Sequence, residues 1–119
     1  MPEGLFEEIR IAFLDHLVLF FRDQRMDAGA LASFAARFGP LIPPPYSRPR
    51  DDNPYVLDLV REANVPASVR NVGDRWHTDN APEEMPALGF ALYCLECPPY
   101  GCDTMFADRK STRLNSSHT

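Results

Sequence analysis

Proline placement constrains this chain more than any other feature. Twelve prolines fall among 119 residues, and most are clustered: Pro43-Pro44-Pro45, then Pro49 and Pro54, then Pro98-Pro99. Proline lacks an N–H and fixes φ, so it is kept out of helix interiors and central strands. The clusters therefore mark loops. Helices are expected ahead of residue 40, with loops and short extended segments after it.

The first forty residues carry helical periodicity. Leu5, Ile9, Ala12, Phe13 and His16 recur at helical spacing, which predicts an amphipathic helix from Glu3 to about Asp15. Glu3, Glu7 and Glu8 suit the positive end of its dipole. Leu17 to Phe21 is a short apolar run that reads as a buried strand, closed by Arg22-Asp23-Gln24. A second helix follows, with Asp27 as N-cap and Leu31, Phe34, Ala35 and Phe38 as its apolar stripe. Gly39 stands where a left-handed C-cap is wanted, and Pro40 comes next.

Beyond residue 40 the reading changes. Residues 43–54 are a long irregular loop. Tyr55–Val60, Arg75–Asp79, Leu88–Leu95 and Thr104–Ala107 read as strands, with loops at 61–73 and 81–86. Helices first and strands after predict an α+β arrangement with a mainly antiparallel sheet. Four or five strands cannot close a barrel, and open edges are a liability.

Composition narrows the function classes. A hydrophobic share of 45%, with eight Phe and four Tyr, supplies a core. A net charge of −5 argues against nucleic acid or an anionic membrane as partner. The longest apolar run is far too short to span a bilayer. Acidic residues precede the first apolar ones, unlike a signal peptide, so a cytoplasmic location is expected. Three cysteines, Cys94, Cys97 and Cys102, do not suggest a disulfide framework.

The sharpest chemical feature is Trp76-His77-Thr78-Asp79. On a strand, residues i and i+2 share a face, so His77 and Asp79 project together. An imidazole nitrogen and a carboxylate oxygen on one face are two corners of a 2-His-1-carboxylate triad, which leaves positions of a non-haem iron open. Alone, His-x-Asp is a weak signal, because a surface His beside a solvated carboxylate is the commoner arrangement.

The order of features is more telling. Leu19-Phe20-Phe21-Arg22-Asp23-Gln24, Phe38-Gly39-Pro40-Leu41, Trp76-His77-Thr78-Asp79, Pro86 and Pro98-Pro99-Tyr100-Gly101-Cys102-Asp103-Thr104 follow one another in the chain. In these segments, from about Glu7 to Ala107, the chain resembles the taurine dioxygenase (TauD/TfdA) family of Fe(II)/2-oxoglutarate-dependent dioxygenases.

The resemblance implies a double-stranded β-helix, or jelly roll, of the clavaminate synthase-like kind, with helices packed outside and the barrel incomplete in these residues. It implies Fe(II) held by His77 and Asp79, and 2-oxoglutarate as co-substrate, its distal carboxylate held by the Thr104 hydroxyl. The implied reaction hydroxylates a small organic substrate with O2 and converts 2-oxoglutarate to succinate and carbon dioxide. A homo-oligomer is compatible with it.

The departures matter as well. The family's third ligand, a distal His, and its 2-oxoglutarate-binding Arg have no counterpart here, and its opening strand is absent. Cys102 stands where a second Gly is usual, Pro44 where taurine-type members carry a sulfonate-binding His, and Pro82 where they carry an aromatic residue. Taurine is thus a poor substrate choice. The stretch Asp108-Arg-Lys-Ser-Thr-Arg-Leu-Asn-Ser-Ser-His-Thr119 loses apolar content and reads like a translated sequencing adapter. Residues 1–107 are accordingly expected to be the N-terminal part of a dioxygenase domain, with 108–119 a non-native tail whose His118 is no ligand. Two protein ligands in an unclosed barrel predict weak iron affinity and no turnover for these 119 residues.

Other residues have plainer readings. Cys94-x-x-Cys97 is more economical as strand and turn packing than as half a zinc site, which wants four ligands. His16 is expected to be partly buried, Asp51-Asp52 solvated, Trp76 in the core, and Arg70 and Arg75 solvated loop charges. The competing reading of the whole chain is a non-catalytic jelly-roll binding module.

Overall fold

A computed structural model of the chain describes residues 1–45, 47–60, 64, 66, 75–79, 83–101 and 103–110. Two α-helices lie in this part: α1, Glu3–His16, and α2, Ala28–Ala36. Both fall where periodicity places them.

Helix α1 starts after Pro2, whose extended backbone needs no N–H of its own there. Its exposed flank carries Glu7 and Arg10, which pair one turn apart at 2.6 Å. That bond holds the Glu7 carboxyl below its ordinary range. The helix ends at Leu17, which takes a left-handed conformation (φ 68°) and donates its N–H to the Phe13 carbonyl at 2.7 Å. A left-handed turn at a non-glycine residue costs about 1 kcal/mol. It turns the chain out of the helix axis just where an immediate strand is expected.

Helix α2 opens on the expected cap. The Asp27 carboxylate accepts the Ala30 N–H at 2.8 Å, satisfying one of the helix's orphan donors. Such a cap contributes roughly 1 kcal/mol. The other end differs from expectation. The C-cap is Arg37 in a right-handed conformation. Successive i→i+3 bonds, Arg37 N–H to Phe34, Phe38 N–H to Ala35 and Gly39 N–H to Ala36, wind it down as a tight 3₁₀ turn. Gly39 then sits at φ 155°, a region that favours glycine, but it is not the left-handed cap.

Phe38, just past the end of α2, links the two helices. Phe38 packs edge-on against Phe6, Phe13 and Phe34, with ring centroids 5.0, 5.7 and 5.5 Å away. Phe21 extends the row onto Phe34 at 5.9 Å. The Arg37 guanidinium covers the Phe6 ring at 4.3 Å and reaches the Glu3 carboxylate. Phe6 is the only buried hydrophobic residue among those described, at 7% exposure. The buried face of α1 is therefore centred on Phe6, Ile9 and Phe13, while Leu5 and His16 stay exposed. The expected partial burial of His16 is corrected: it is exposed in the last turn of α1.

Three ties join this helical layer to the later chain. Gly89 passes so close to Phe13 that a Cβ there would meet the ring tip at 3.1 Å. The Tyr93 hydroxyl donates to the Gln24 carbonyl at 3.1 Å. Phe106 meets Phe20 edge-on at 6.4 Å. Ala87, Ala91 and Tyr93 are half-buried, whereas Leu88, Gly89, Phe90 and Leu92 are exposed, so alternation holds from Phe90 to Tyr93.

Among the described residues no β-ladder forms. Leu17–Phe21, expected as a buried strand, is a correction: Phe20 is 75% exposed and Leu17 caps a helix. A strand is stabilised by pairing and cross-strand contacts, and no ladder hydrogen bond reaches this segment among the described residues. The chain's radius of gyration, 16.5 Å, exceeds the roughly 13.5 Å of a compact domain this long.

The proline loop is ordered by charge. Arg50 N–H donates to the Val56 carbonyl at 2.7 Å, and the Asn53 side chain accepts from Tyr55 N–H, closing a turn. The Arg50 guanidinium then grips Asp52 at 2.7 Å and Asp58 at 3.1 Å, while Arg48 pairs with Asp51 at 3.0 Å. Asp51 and Asp52 are thus exposed but ion-paired rather than simply solvated. The pairing lowers the Asp52 carboxyl and raises Arg50. The expected loop at 61–73 lies largely outside the described residues, as do the start of the loop at 81–86, Arg70, Pro82, Cys102 and the terminal stretch from Ser111, including His118.

Candidate metal centre

Residues 75–79 bring the expected pair together. His77 Nε2 lies 3.2 Å from Asp79 Oδ1, and each side chain is about half exposed (54% and 56%). The alternation of an extended segment accounts for this: side chains two apart rise from the same face. Trp76, expected in the core, is 69% exposed and so is a correction; no helix of the phenylalanine layer covers it among the described residues.

The other ring nitrogen fixes the chemistry. His77 Nδ1 lies 2.7 Å from the Arg75 carbonyl oxygen. A carbonyl oxygen can only accept, so Nδ1 carries the proton. In the neutral ring, Nε2 then presents a bare lone pair to the Asp79 carboxylate. Two acceptors facing each other at 3.2 Å are unfavourable unless positive charge stands between them. A proton on Nε2 supplies that charge, and so does a metal cation. Sequence reasoning missed the Arg75 carbonyl, because a backbone acceptor two residues away carries no side-chain signature.

The imidazole responds accordingly. Its pKa is raised above the ordinary histidine value, first by the Arg75 carbonyl and then by the Asp79 charge, against an opposing desolvation. The ion pair is present below the ordinary imidazole pKa and is lost as pH rises through the raised value. Cation binding has the opposite sign, since it needs a neutral ring, and strengthens over the same rise. Asp79→Asn is expected to bring the His77 pKa down while leaving part of the rise, because the Arg75 acceptor remains. A titration of the ring protons by NMR checks this. An unchanged midpoint in the variant contradicts the arrangement.

The donors also fit a metal geometrically. Two cis ligands held about 2.1 Å from one first-row ion stand about 3.0 Å apart. The observed 3.2 Å matches that edge. The Arg75 bond orients the ring and leaves Nε2 facing Asp79, as the outer partners of histidine ligands commonly do. No cluster of three or more His, Cys, Asp or Glu that could hold a metal occurs among the described residues. The described residues thus bring together one His and one carboxylate, fewer than such a cluster needs.

Thr104 is exposed on the segment tied down by Phe106, and no hydrogen bond among the described residues joins it to His77 or Asp79. Cys94 is exposed and donates its thiol to the Glu96 carbonyl at 3.4 Å, a local turn contact that suits the packing reading. The concavity in the proline loop, about 370 Å³, is lined by Arg48, Pro49, Arg50, Asp51, Asp52 and Asp58, and contains neither His77 nor Asp79. It is wide open, and its charges are already paired with one another.

Comparison with known families decides the wider identity. The family described as Taurine catabolism dioxygenase TauD, TfdA family matches residues 2–111. The chain belongs to the TauD/TfdA family. The match runs from the start of the helical layer through His77, Asp79 and Thr104, so the His77–Asp79 pair lies inside the TauD/TfdA region. No solved structure matches the chain. No helix among the described residues is long and apolar enough to cross a membrane.

Proposed function

We propose that this TauD/TfdA-family chain serves an Fe(II)/2-oxoglutarate-dependent dioxygenase, with His77 and Asp79 as iron ligands and Thr104 as a 2-oxoglutarate contact. One observation carries the reading: His77 Nε2 and Asp79 Oδ1 stand 3.2 Å apart, with the Nδ1 proton committed to the Arg75 carbonyl. That arrangement brings a nitrogen lone pair and a carboxylate oxygen next to each other. Family membership supports Fe(II) as the ion and 2-oxoglutarate as the co-substrate.

Fe(II), when bound with 2-oxoglutarate, supplies the activation of O2 that couples decarboxylation to hydroxylation of a small organic substrate. The chain's own residues do simpler things. His77 donates through Nε2, held in its tautomer by Arg75. Asp79 supplies an anionic oxygen that offsets the cation's charge. The Thr104 hydroxyl donates to the distal carboxylate of 2-oxoglutarate. A double-stranded β-helix is the proposed frame. The apolar run Leu88-Gly89-Phe90-Ala91-Leu92 supports it, because strands enclosed on both faces read as near-continuous apolar runs.

The test is anaerobic binding of 2-oxoglutarate to the purified chain, with and without Fe(II), by equilibrium dialysis. The expected result is retention of 2-oxoglutarate that requires Fe(II), is weak, and weakens further in Thr104→Ala. Retention that is equal without Fe(II) overturns the reading.

A further inference from the structure

We draw no further inference here: the strongest candidate, the exposed apolar face formed by Leu88, Phe90 and Leu92 on the segment that crosses Phe13, is a surface for which nothing in the structure shows what covers it.

Discussion

A His77→Ala chain is expected to bind a divalent first-row cation at least about tenfold more weakly than the parent. Loss of an outer partner alone commonly costs ten- to a hundredfold in metal affinity, and His77 is a direct donor in this account. Its removal leaves Asp79 as a lone exposed carboxylate, which competes poorly with water. Asp79→Asn should weaken binding too, through loss of the anionic oxygen. Arg75→Ala should not, because the contact to His77 comes from the Arg75 backbone. Calorimetric titration with Mn(II) at neutral pH separates the three. Equal affinity in the parent and His77→Ala contradicts the assignment.

Phe38→Ala is expected to cause the largest loss of stability. The Phe38 ring touches three others, Phe6, Phe13 and Phe34, and so joins α1 to α2. Truncating a fully buried Phe costs about 3–5 kcal/mol. Phe38 is only half-buried, so roughly 2–3 kcal/mol is the appropriate figure, part of it from aromatic pairs worth about 0.5–1.5 kcal/mol each. Against a marginal fold that is a large share. Helical circular dichroism should fall, and the thermal transition should broaden and move down. Phe20→Ala is the control. Phe20 is 75% exposed and has one loose ring contact, so its loss should change the transition little. Equal effects of the two substitutions would show that the phenylalanine row is not the core.

The helical layer was legible from sequence because its signals are local. The 3.6-residue spacing placed α1 within a residue at its C-terminal end, and Asp27 announced α2 by a bond to an N–H three residues on. The buried face of α1 was read one position off. Leu5, Ile9 and Phe13 and the true set Phe6, Ile9 and Phe13 both satisfy helical spacing. Only the Phe38 ring across the interface selects Phe6. Arg50 between Asp52 and Asp58 was missed for a related reason: the turn that closes from Arg50 to Val56 sets that meeting.

The site was legible where period two applies. His77 and Asp79 share a face because an extended chain alternates, whatever surrounds it. The hydrogen bond that decides the His77 tautomer was not legible, since it depends on the backbone path at Arg75. Thr104 entered through family resemblance rather than spacing. Its role depends on contacts distant in sequence, which periodicity does not encode.

The central claim is that His77 and Asp79 together form the chain's cation site. The most direct test is Mn(II) added in small amounts to isotopically labelled protein, with line broadening followed by NMR. The chain offers an internal competitor, the carboxylates Asp51, Asp52 and Asp58 of the proline loop, already paired with Arg48 and Arg50. Broadening is expected to centre on the His77 ring and Asp79 and to be absent in His77→Ala. Broadening centred on the proline loop, or unchanged at residues 75–79 in His77→Ala, would contradict it.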